Sequence, residues 1–510
     1  MDAFSHLQAG LRAVLEANAP GSTVEHVVVA LPSFSMGETL LAHYATRLPS
    51  LEHRYLLGAL QVGRTPGAHV VLVTSGPPSG DVLDYYSRLA SPDDPDDARR
   101  RISCLVVPDA SPRGVAAKLL DRPDLLGELR ERIGGRPALV EPWNVTEDEV
   151  SVALALGAPL NGTHPALWSL GFKSAGRRLF TEAGVPVPSG VEDVHDREQA
   201  AAAVALIRRI RPHLDRVVLK QDNSGAGDGN WVVSTRDEDG RRVPRSRLGT
   251  DAFGVVPDWF AADLAAGGVV EELLRGRRVS SPSAQVDIRP GGEVRVLATH
   301  EQVLGGPNGQ VFTGCRFPAE DAYAPELARH AAAVGVRLAG AGAVGRVAVD
   351  FVAVRRRGTW SVHGLELNLR KGGTTHPFTA LRHLVPGVYD PGRGWVTHAD
   401  GLPRCYRSSD TVEDPAWVGL PPGRVIEAVA GAGLAFDHGT GTGVVLHMLS
   451  ALERDGRFGV TAIAPTPAEA DEMYAAVPSA LAGQRGTSMA RAAARRSPSG
   501  SAASASRIRW

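Results

Sequence analysis

The sequence predicts an α/β protein of two to four domains. At 510 residues the chain is too long to be organised around a single hydrophobic core. Its first part, to about residue 160, alternates short apolar runs with helical patterns, which is typical of a parallel sheet covered by helices. A hydrophobic content of 43% and a charged content of 22% are ordinary for a globular protein. We therefore expect several packed α/β domains.

Composition and charge exclude several classes of protein. A net charge of −1 gives no electrostatic footprint for nucleic acid or an anionic membrane. No run of about 18 apolar residues is present, and the N-terminus lacks a basic region followed by an apolar one, so we predict neither a membrane span nor a secretory signal. Cys104, Cys315 and Cys405 are isolated. They argue against disulfides or a zinc site and favour a cytoplasmic location.

The predicted N-terminal domain spans residues 1–160. Strands are predicted at residues 27–31, 70–73 and 105–107, and helices at 37–48, 80–90, 112–120 and 146–156. Residues 91–97 are expected to form an acidic loop. The loops 33–37 and 75–80 follow strand ends, where open α/β sheets usually bind ligands, although ordinary turn chemistry explains them as well.

The predicted second region spans residues 161–385. Helices are expected at residues 172–183, 198–209 and 325–338, and strands at 217–220 and 268–274. Two hairpins are expected, one turning at Gly291-Gly292 and one joining strands 347–354 and 360–369 through residues 355–358.

The last part of the chain divides into a small domain and a tail. In the predicted C-terminal α/β domain, residues 386–484, we expect a helix at 443–452, a strand at 458–463 and a helix at 467–477. Residues 485–510 are rich in serine, alanine and arginine and contain no acid, which predicts a disordered basic tail.

The most informative segment is Leu365-Glu366-Leu367-Asn368-Leu369-Arg370. In a strand, successive side chains point to opposite faces, so Glu366, Asn368 and Arg370 share one face. A carboxylate and an amide oxygen at this spacing suit Mg²⁺, and an arginine one step further can neutralise phosphate. The predicted hairpin sets Asp350 beside them as a further oxygen ligand. An edge strand with a polar outer face is the simpler alternative.

A phosphate-binding region is predicted around Lys220, which ends an apolar strand. The glycine-rich loop of residues 224–229 follows, and its backbone N–H groups could approach a polyphosphate closely. Lys173 begins a helix and could equally be a solvated lysine. Glu271 and Glu272 end an apolar strand, either as an exposed strand end or as a hinge that recognises an adenine edge.

The order of these motifs along the chain resembles that of the ATP-grasp superfamily of carboxylate–amine ligases. The resemblance covers roughly residues 161–385: a helix lysine before Gly184-Val185-Pro186-Val187-Pro188, a strand lysine with a glycine loop, two glutamates, an aspartate, and Glu-x-Asn-x-Arg. More narrowly, residues 368–377 look like the peptide-ligase group typified by the pheganomycin biosynthetic ligase, as do residues 31–35 and 441–447.

The resemblance implies an ATP-grasp fold, with a pre-ATP-grasp-like N-terminal domain, and a role for each matching residue. Phosphate would be held by Lys173 and Lys220 and covered by the 224–229 loop. The remaining residues, with the role implied for each, are Ser224, Gly225, Ala226 and Gly227 for phosphate; Glu271, Glu272 and Leu274 for adenine; Asp350, Glu366 and Asn368 for Mg²⁺; and Arg370, with Lys220, for catalysis.

One departure from the family pattern concerns the ribose. Many ATP-grasp enzymes place an acid for the ribose shortly after the hinge, but residues 275–280 contain none. Either Glu272 or a serine would take that role. Arg346 is either a second active-site cation or a surface arginine, His376 either lines the acceptor side or belongs to a turn, and Gly439 to Gly443 forms either a substrate contact or a tight turn.

The activity implied by the resemblance is ATP-dependent peptide ligation in peptide natural-product biosynthesis. A nonproteinogenic amino acid would donate its carboxylate and the N-terminal amine of a peptide would accept it, with ATP and Mg²⁺ required. Two alternatives stay open: ligation of two small molecules, and a non-catalytic ATP-binding module. A homodimer is expected only from the general frequency of such assemblies.

Overall fold

The computed structural model describes most of the chain. The described residues are 2–34, 41–42, 45–224, 229–249, 253–254, 256–305 and 311–484. The predicted tail at 485–510, half of the helix predicted at 37–48 and the centre of the glycine-rich loop therefore lie outside the described residues. Among the helices that are described, none is long and apolar enough to cross a bilayer.

The N-terminal region contains a parallel sheet of four strands in the order β3-β2-β1-β4. These strands are β1 (His26–Leu31), β2 (Ala68–Thr74), β3 (Ile102–Val106) and β4 (Ala138–Pro142). The strands are buried on both faces because alternate residues pack on helices of opposite sides. Val28 and Ala30 pack with Leu56 and Tyr86 on one side, whereas residues of the other face pack with helices between 115 and 153.

Short helices surround this sheet. The α-helices are Ala3–Gln8, Leu11–Ala17, Leu48–Glu52, Leu56–Ala59, Gly80–Ala90, Pro95–Arg101, Val115–Leu120, Pro123–Ile133 and Glu147–Leu156, and the 3₁₀ turns are Ala45–Arg47, His53–Tyr55 and Leu60–Gly63. The predicted loop at 91–97 is wrong in its second half, because Asp94 caps a helix by accepting from the Asp97 N–H at 2.9 Å. Strand β4 and the helix Pro123–Ile133 were not predicted.

A second sheet has four antiparallel strands in the order β5-β8-β6-β7. These strands are β5 (Gly190–Val191), β6 (Arg216–Gln221), β7 (Asn230–Ser234) and β8 (Gly268–Glu272). The helices of this part are Lys173–Glu182, Arg197–Ile210, Arg245–Arg247 and Asp258–Asp263, with 3₁₀ turns at Pro165–Gly171 and Leu264–Ala266. Its core joins Val204 and Ile207 of one helix to Leu219 and Val270 of the sheet.

The third sheet has 11 strands and carries the predicted hairpins. Its first part comprises β9 (Arg278–Ser280), β10 (Pro282–Ile288), β11 (Val294–Gly305), β12 (Val311–Phe317), β13 (Gly345–Arg356) and β14 (Thr359–Asn368). The helix Ala324–Gly340 buries Leu327, Ala331 and Val334 against this sheet. Both hairpins therefore form where the sequence predicts them.

Strands from residues 386–484 continue the same sheet. They are β15 (Gly387–Asp390), β16 (Gly394–Thr397), β17 (Pro403–Glu413), β18 (Gly443–His447) and β19 (Arg457–Ala464). β17 pairs with β12 on one side and with β19 on the other, and its first two residues pair with β16, so one sheet joins strands from before and after residue 386. The helices here are Thr375–Leu384, Pro422–Gly431, Leu452–Asp455 and Pro467–Ala480, with 3₁₀ turns at Pro415–Trp417 and Leu449–Ala451.

One predicted element in this region is wrong. The helix expected at 443–452 is replaced by strand β18 and a 3₁₀ turn. All five residues of β18 are buried, and a short apolar run buried on both faces has no periodicity that separates strand from helix.

Candidate active site

A cavity of about 480 Å³ lies between the second and third sheets. Its walls come from β6 and β8 on one side and from β10 to β14 on the other. The predicted site residues that line it are Lys173, Lys220, Glu271, Glu272, Leu274, Asp350, Glu366, Asn368 and Arg370.

The glycine-rich loop is described only at its ends. The backbone oxygen of Ser224 accepts a hydrogen bond from the Lys173 ammonium, and its hydroxyl donates to the Gln221 carbonyl at 3.0 Å. Gly225, Ala226 and Gly227 lie outside the described residues. The beginning of the loop is thus attached to one of the two predicted phosphate lysines.

The acidic side of the cavity is built on the β13–β14 hairpin. Asp350 stands opposite Glu366, and Ala348 stands opposite Asn368. The Asn368 amide donates to Asp350 Oδ2 at 3.0 Å. Gln302 on β11, which sequence analysis missed, donates to Asp350 Oδ1 at 2.7 Å. A single glutamine in an exposed-looking strand carries no signal that could have identified it.

The electrostatics of this acidic side fit a cation. Burial, followed by the negative charge of Glu366, raises the pKa of Asp350 to about 7. Burial also acts to raise the pKa of Glu366, but Lys173, Lys220 and Arg370 together outweigh it, and the pKa lies below its ordinary value. Two adjacent carboxylates and an amide oxygen form a set of hard oxygen ligands suited to Mg²⁺. No group of three His, Cys, Asp or Glu side chains that could hold a metal occurs among the described residues, so a metal here would need the Asn368 amide oxygen as a ligand.

The two predicted phosphate lysines are both buried and paired with acids. Lys173 Nζ lies 3.0 Å from Glu366 Oε1, and Lys220 pairs with Glu271. Glu271 is also bound by Arg177, with Nη1 to Oε2 at 2.8 Å. Arg177 was not predicted, although its position one helical turn after Lys173 places both on one face.

The two glutamates of the predicted hinge differ in their partners. Both carboxylate oxygens of Glu271 are occupied by Lys220 and Arg177, so its side chain holds a cation in place instead of standing free for adenine. Glu272 accepts from the Ser189 N–H at 3.1 Å and lies 3.3 Å from Arg211. Leu274 lines the cavity just beyond them.

Arg370 lies at the far end of the cavity, with its guanidinium 4.7 Å from the centre of the Trp143 ring. Burial lowers the pKa of Arg370. The backbone N–H of Lys371 donates to the Trp143 carbonyl at 3.1 Å, which fixes the strand end to the N-terminal sheet. Lys371 Nζ lies 2.5 Å from Glu141 Oε1.

The turn after Arg370 also lines the cavity. Gly372, Gly373 and Thr374 face it, and a Cβ at position 373 would lie 2.5 Å from the Phe312 ring. Gln285 donates to the Thr374 hydroxyl at 3.0 Å and accepts from Arg346 at 2.9 Å. This turn therefore requires glycine at one position and is held by a buried hydrogen-bond chain.

The sequence left alternative roles open for Arg346, His376 and residues 439–443, and none of them lines this cavity. The Arg346 side chain is 11% exposed, so it is not a surface arginine, and it supports the turn through Gln285. His376 is buried in the first turn of the helix Thr375–Leu384. At Gly443, where φ is +122°, a Cβ would lie 2.5 Å from the Ala435 carbonyl oxygen, which makes residues 439–443 a tight turn.

The chain was compared with known proteins. It is 32% identical over 435 residues to the L-propargylglycine–L-glutamate ligase of Streptantibioticus cattleyicolor, covering 82% of this chain and 87% of that enzyme. It is 26% identical over 325 residues to the IQ motif-containing protein H of Danio rerio, covering 53% of this chain and 30% of that protein. A family model described as the PGM1 C-terminal domain matches residues 424–477.

Solved structures share the fold at low sequence identity. A biotin carboxylase of Campylobacter jejuni, solved as a β,γ-ATP complex, has a TM-score of 0.55 and 14% identity over 94% of this chain and 100% of its own. An ADP complex of N5-carboxyaminoimidazole ribonucleotide synthetase has a TM-score of 0.50 and 15% identity over 89% of this chain and 96% of its own. The predicted ATP-grasp fold is confirmed. With this fold, and with the similarity to the amino-acid ligase over most of both chains, the protein belongs to the ATP-grasp carboxylate–amine ligases.

Proposed function

We propose that this protein is an ATP-dependent ligase that joins an amino-acid-like carboxylate to the amine of a peptide. The finer substrate classes come from the sequence resemblance: a nonproteinogenic amino acid as donor and a peptide N-terminus as acceptor, in peptide natural-product biosynthesis. The name of the 32% identical relative, which mentions two amino acids, supports amino-acid-like substrates. The three cysteines are free thiols, which suits the cytoplasmic location that we expect.

The observation that carries the proposal is the meeting of opposite charges in one cavity. The cavity is lined by three basic side chains, Lys173, Lys220 and Arg370. It is also lined by two acidic side chains, Asp350 and Glu366. Phosphoryl transfer needs charge neutralisation and positioning more than a protein nucleophile. The cavity supplies both and lies between two sheets, where nucleotide and carboxylate can be brought together.

The roles of the acidic residues follow from their contacts. Asp350, Glu366 and Asn368 would hold Mg²⁺, which supplies electrostatic screening of the phosphate oxygens when it is bound. Gln302 and Asn368 orient Asp350 through their hydrogen bonds to its two oxygens. Glu366 would exchange its contact with the Lys173 ammonium for the metal as Lys173 turns to a phosphate.

The basic residues would act on the phosphates and on the reacting carboxylate. Lys173 and Lys220 bind phosphate, with Ser224, Gly225, Ala226 and Gly227 covering it and Glu272 and Leu274 beside the adenosine. Glu271 positions Lys220 through their ion pair. Arg370 stabilises the charge on the transferring phosphoryl group or on the tetrahedral intermediate.

The proposed reaction has two steps. The donor carboxylate attacks the γ-phosphate of ATP, which gives an acyl phosphate and ADP. The uncharged acceptor amine then attacks the acyl carbon, expels phosphate and loses a proton as the amide forms. An acceptor amine that binds as ammonium must release a proton before it attacks. The cavity must also close over the acyl phosphate to exclude water, which would hydrolyse it.

The test is an ADP-release assay across donor acids, each with and without an amine acceptor, with products read by mass spectrometry. We expect amine-dependent ADP release together with a product whose mass is the sum of both substrates less water. The Glu366→Ala variant supplies the background. Binding of ATP without turnover on any pair of substrates would contradict ligation and favour a non-catalytic ATP-binding module, whereas turnover only with free amino acids would favour ligation of two small molecules.

A further inference from the structure

A second polar cluster lies beside the cavity, at the carboxyl ends of the N-terminal strands. In the order β3-β2-β1-β4, the direction of the crossovers reverses between β1 and β4. Open α/β sheets bind ligands in the crevice at such a reversal. Phe34 follows β1 and Trp143 follows β4, and their rings lie 4.8 Å apart. Because Arg370 stacks on the same Trp143 ring, this crevice borders the reacting end of the cavity.

A short polar segment next to the crevice is buried. Glu52, His53, Arg54 and Tyr55 are consecutive, and none is more than 8% exposed. Glu52 accepts from the Ser75 N–H at 2.6 Å, and His53 Nε2 bonds to the Gly76 carbonyl at 2.8 Å. Both contacts attach the segment to the loop after β2. The backbone that presents Arg54 is therefore held by the sheet.

Arg54 uses only one end of its guanidinium within the described structure. Nη1 donates to Asp410 Oδ2 at 2.6 Å, and Asp410 Oδ1 bonds to His447 Nε2 at 2.8 Å. The guanidinium lies 5.6 Å from the centre of the Phe34 ring. Nε is buried and has no hydrogen-bond partner among the described residues. The ion pair with Asp410 thus leaves the Nε–Nη2 edge of the guanidinium unused. This edge can bind a carboxylate with two parallel hydrogen bonds.

Several polar atoms of aromatic and histidine side chains around Arg54 are also buried and have no hydrogen-bond partner in the described part of the chain. They are Tyr55 Oη, Trp143 Nε1, His376 Nε2 and His447 Nδ1. Their side chains are at most 9% exposed, and the Tyr55 and His376 rings lie 5.3 Å apart. A buried polar group without a partner costs about 1–3 kcal/mol, so such a concentration beside a catalytic cavity is expected where a polar ligand completes the hydrogen bonding.

We propose that the Nε–Nη2 edge of Arg54 binds the non-reacting carboxylate of an amino-acid substrate that lies against Phe34 and Trp143. This inference rests on the proposed function. The carboxylate at Arg54 is not the one that is activated, because the reacting group belongs at Arg370, which also stacks on Trp143. The carboxylate is either the terminal carboxylate of a short acceptor or a second carboxylate of the donor.

The test compares substrates that carry this carboxylate with their carboxamides. For the best substrate pair, the wild-type enzyme should lose about 10- to 100-fold in kcat/KM with the carboxamide, the range of one lost charge-assisted hydrogen bond. One arm changes the acceptor and the other changes the donor side chain. Loss in either arm supports the proposal and identifies the substrate that is bound.

Two variants separate binding from folding. Arg54→Lys keeps a charge for Asp410 but loses the planar edge, and Arg54→Met removes both. In either variant the acid and the carboxamide should differ by less than about threefold. The KM for ATP, measured in the same variants, reports separately on the nucleotide cavity.

The control is Arg47→Met. Arg47 lies near the same segment, and its Nε is 3.2 Å from Asp455 Oδ2 at the surface. Arg47→Met should keep the full preference for the acid. Equal use of acid and carboxamide by the wild-type enzyme in both arms would overturn the inference, as would Arg54 variants that slow both substrates equally. If the wild-type enzyme forms no amide with any pair, the proposed function fails instead.

Discussion

The acidic cluster (Asp350 and Glu366) and the basic cluster (Arg54, Asp410 and His447) border the same proposed active site but balance charge differently. In the acidic cluster, burial and then the negative charge of Glu366 raise the pKa of Asp350. In the basic cluster, Arg54 and Asp410 satisfy each other directly at 2.6 Å. Burial opposes ionisation of Asp410, but the Arg54 charge holds its pKa well below the usual range. The first arrangement calls for an added cation, whereas the second fixes the orientation of an arginine.

The difference also corresponds to two functions that a ligase needs, catalysis and substrate recognition. Adjacent acids beside two lysines suit the charged reaction centre that we propose, where Mg²⁺ and phosphate bind and leave. A neutralised pair with one unused hydrogen-bonding edge suits recognition, because geometry selects the ligand without a large change of net charge. Changes in the first cluster should therefore reduce turnover, and changes in the second should reduce substrate affinity.

The largest effect is expected from Glu366→Ala. Removing this carboxylate takes away one proposed metal ligand and the partner of Lys173, so amine-dependent ADP release should fall by about 10³-fold or more. The fold should persist, as judged by near-UV circular dichroism. Glu293→Ala is the matched control, since Glu293 pairs with Arg295 at 2.6 Å on the surface. Full activity of Glu366→Ala would contradict the metal assignment.

A smaller effect is expected from Asp410→Asn in the basic cluster. The amide keeps the shape of the side chain but loses the charge that orients Arg54. We expect the KM for the carboxylate-bearing substrate to rise about tenfold, with kcat changed by less than about twofold. Steady-state kinetics with each substrate varied in turn measures both. A fall in kcat with unchanged KM would assign Asp410 to the reaction centre.

Acid should destabilise the neighbourhood of Arg54. Burial lowers the pKa of His53 to about 4 and that of His376 well below its ordinary value. The unfolded chain, with histidine pKa values near 6.5, binds more protons than the folded chain below that pH. Stability is therefore complete above about pH 6.5 and falls as the pH drops toward 4, by about 1.4 kcal/mol per pH unit for each histidine.

Urea unfolding midpoints at pH 7 and pH 5 would measure this loss. His53→Gln should flatten the dependence on pH, while His69→Gln, at a more exposed position paired with Glu25, should leave it unchanged. A midpoint that does not move between these pH values would show that the buried histidines take up protons without cost to folding.

The smallest effect is expected from removing residues 485–510. Both clusters consist of residues that precede this segment, so ligation should stay within about twofold of the full chain. The measurement is kcat/KM for the acceptor in the truncated and full-length proteins at equal salt. A large loss of kcat/KM on truncation, matched by a similar loss when the full-length protein is assayed at high salt, would instead show that the basic tail attracts the substrate electrostatically.

Much of the reaction centre could be predicted from the sequence because it lies on regular strands. The alternation at Glu366, Asn368 and Arg370 fixes which side chains share a face, and the short hairpin fixes Asp350 opposite Glu366. The partners of the predicted hinge glutamates could not be predicted. Nothing in the sequence indicates that Glu271 would pair with both Lys220 and Arg177, since that depends on how a helix packs on a sheet.

The basic cluster could not be predicted, because its members are far apart in sequence and only His447 lies in a segment, residues 441–447, that carries the family resemblance. Arg54, Asp410 and His447 come from a short helical segment and two strands that meet only through tertiary packing. The predicted helix at 443–452 would also have misplaced His447. Strand β18 shows no periodicity because both of its faces are buried, so composition alone could not separate it from a helix.

The continuous third sheet has a consequence for synthesis of the chain on the ribosome. Strand β12 pairs on one edge with β17, through contacts such as Phe317 opposite Tyr406. The partner strand is translated much later, so the nascent chain carries an open strand edge through the whole of the intervening synthesis. Open edges pair readily with other chains. A fragment that ends at residue 385 would keep that edge permanently, so we expect it to aggregate even though it contains every proposed nucleotide ligand.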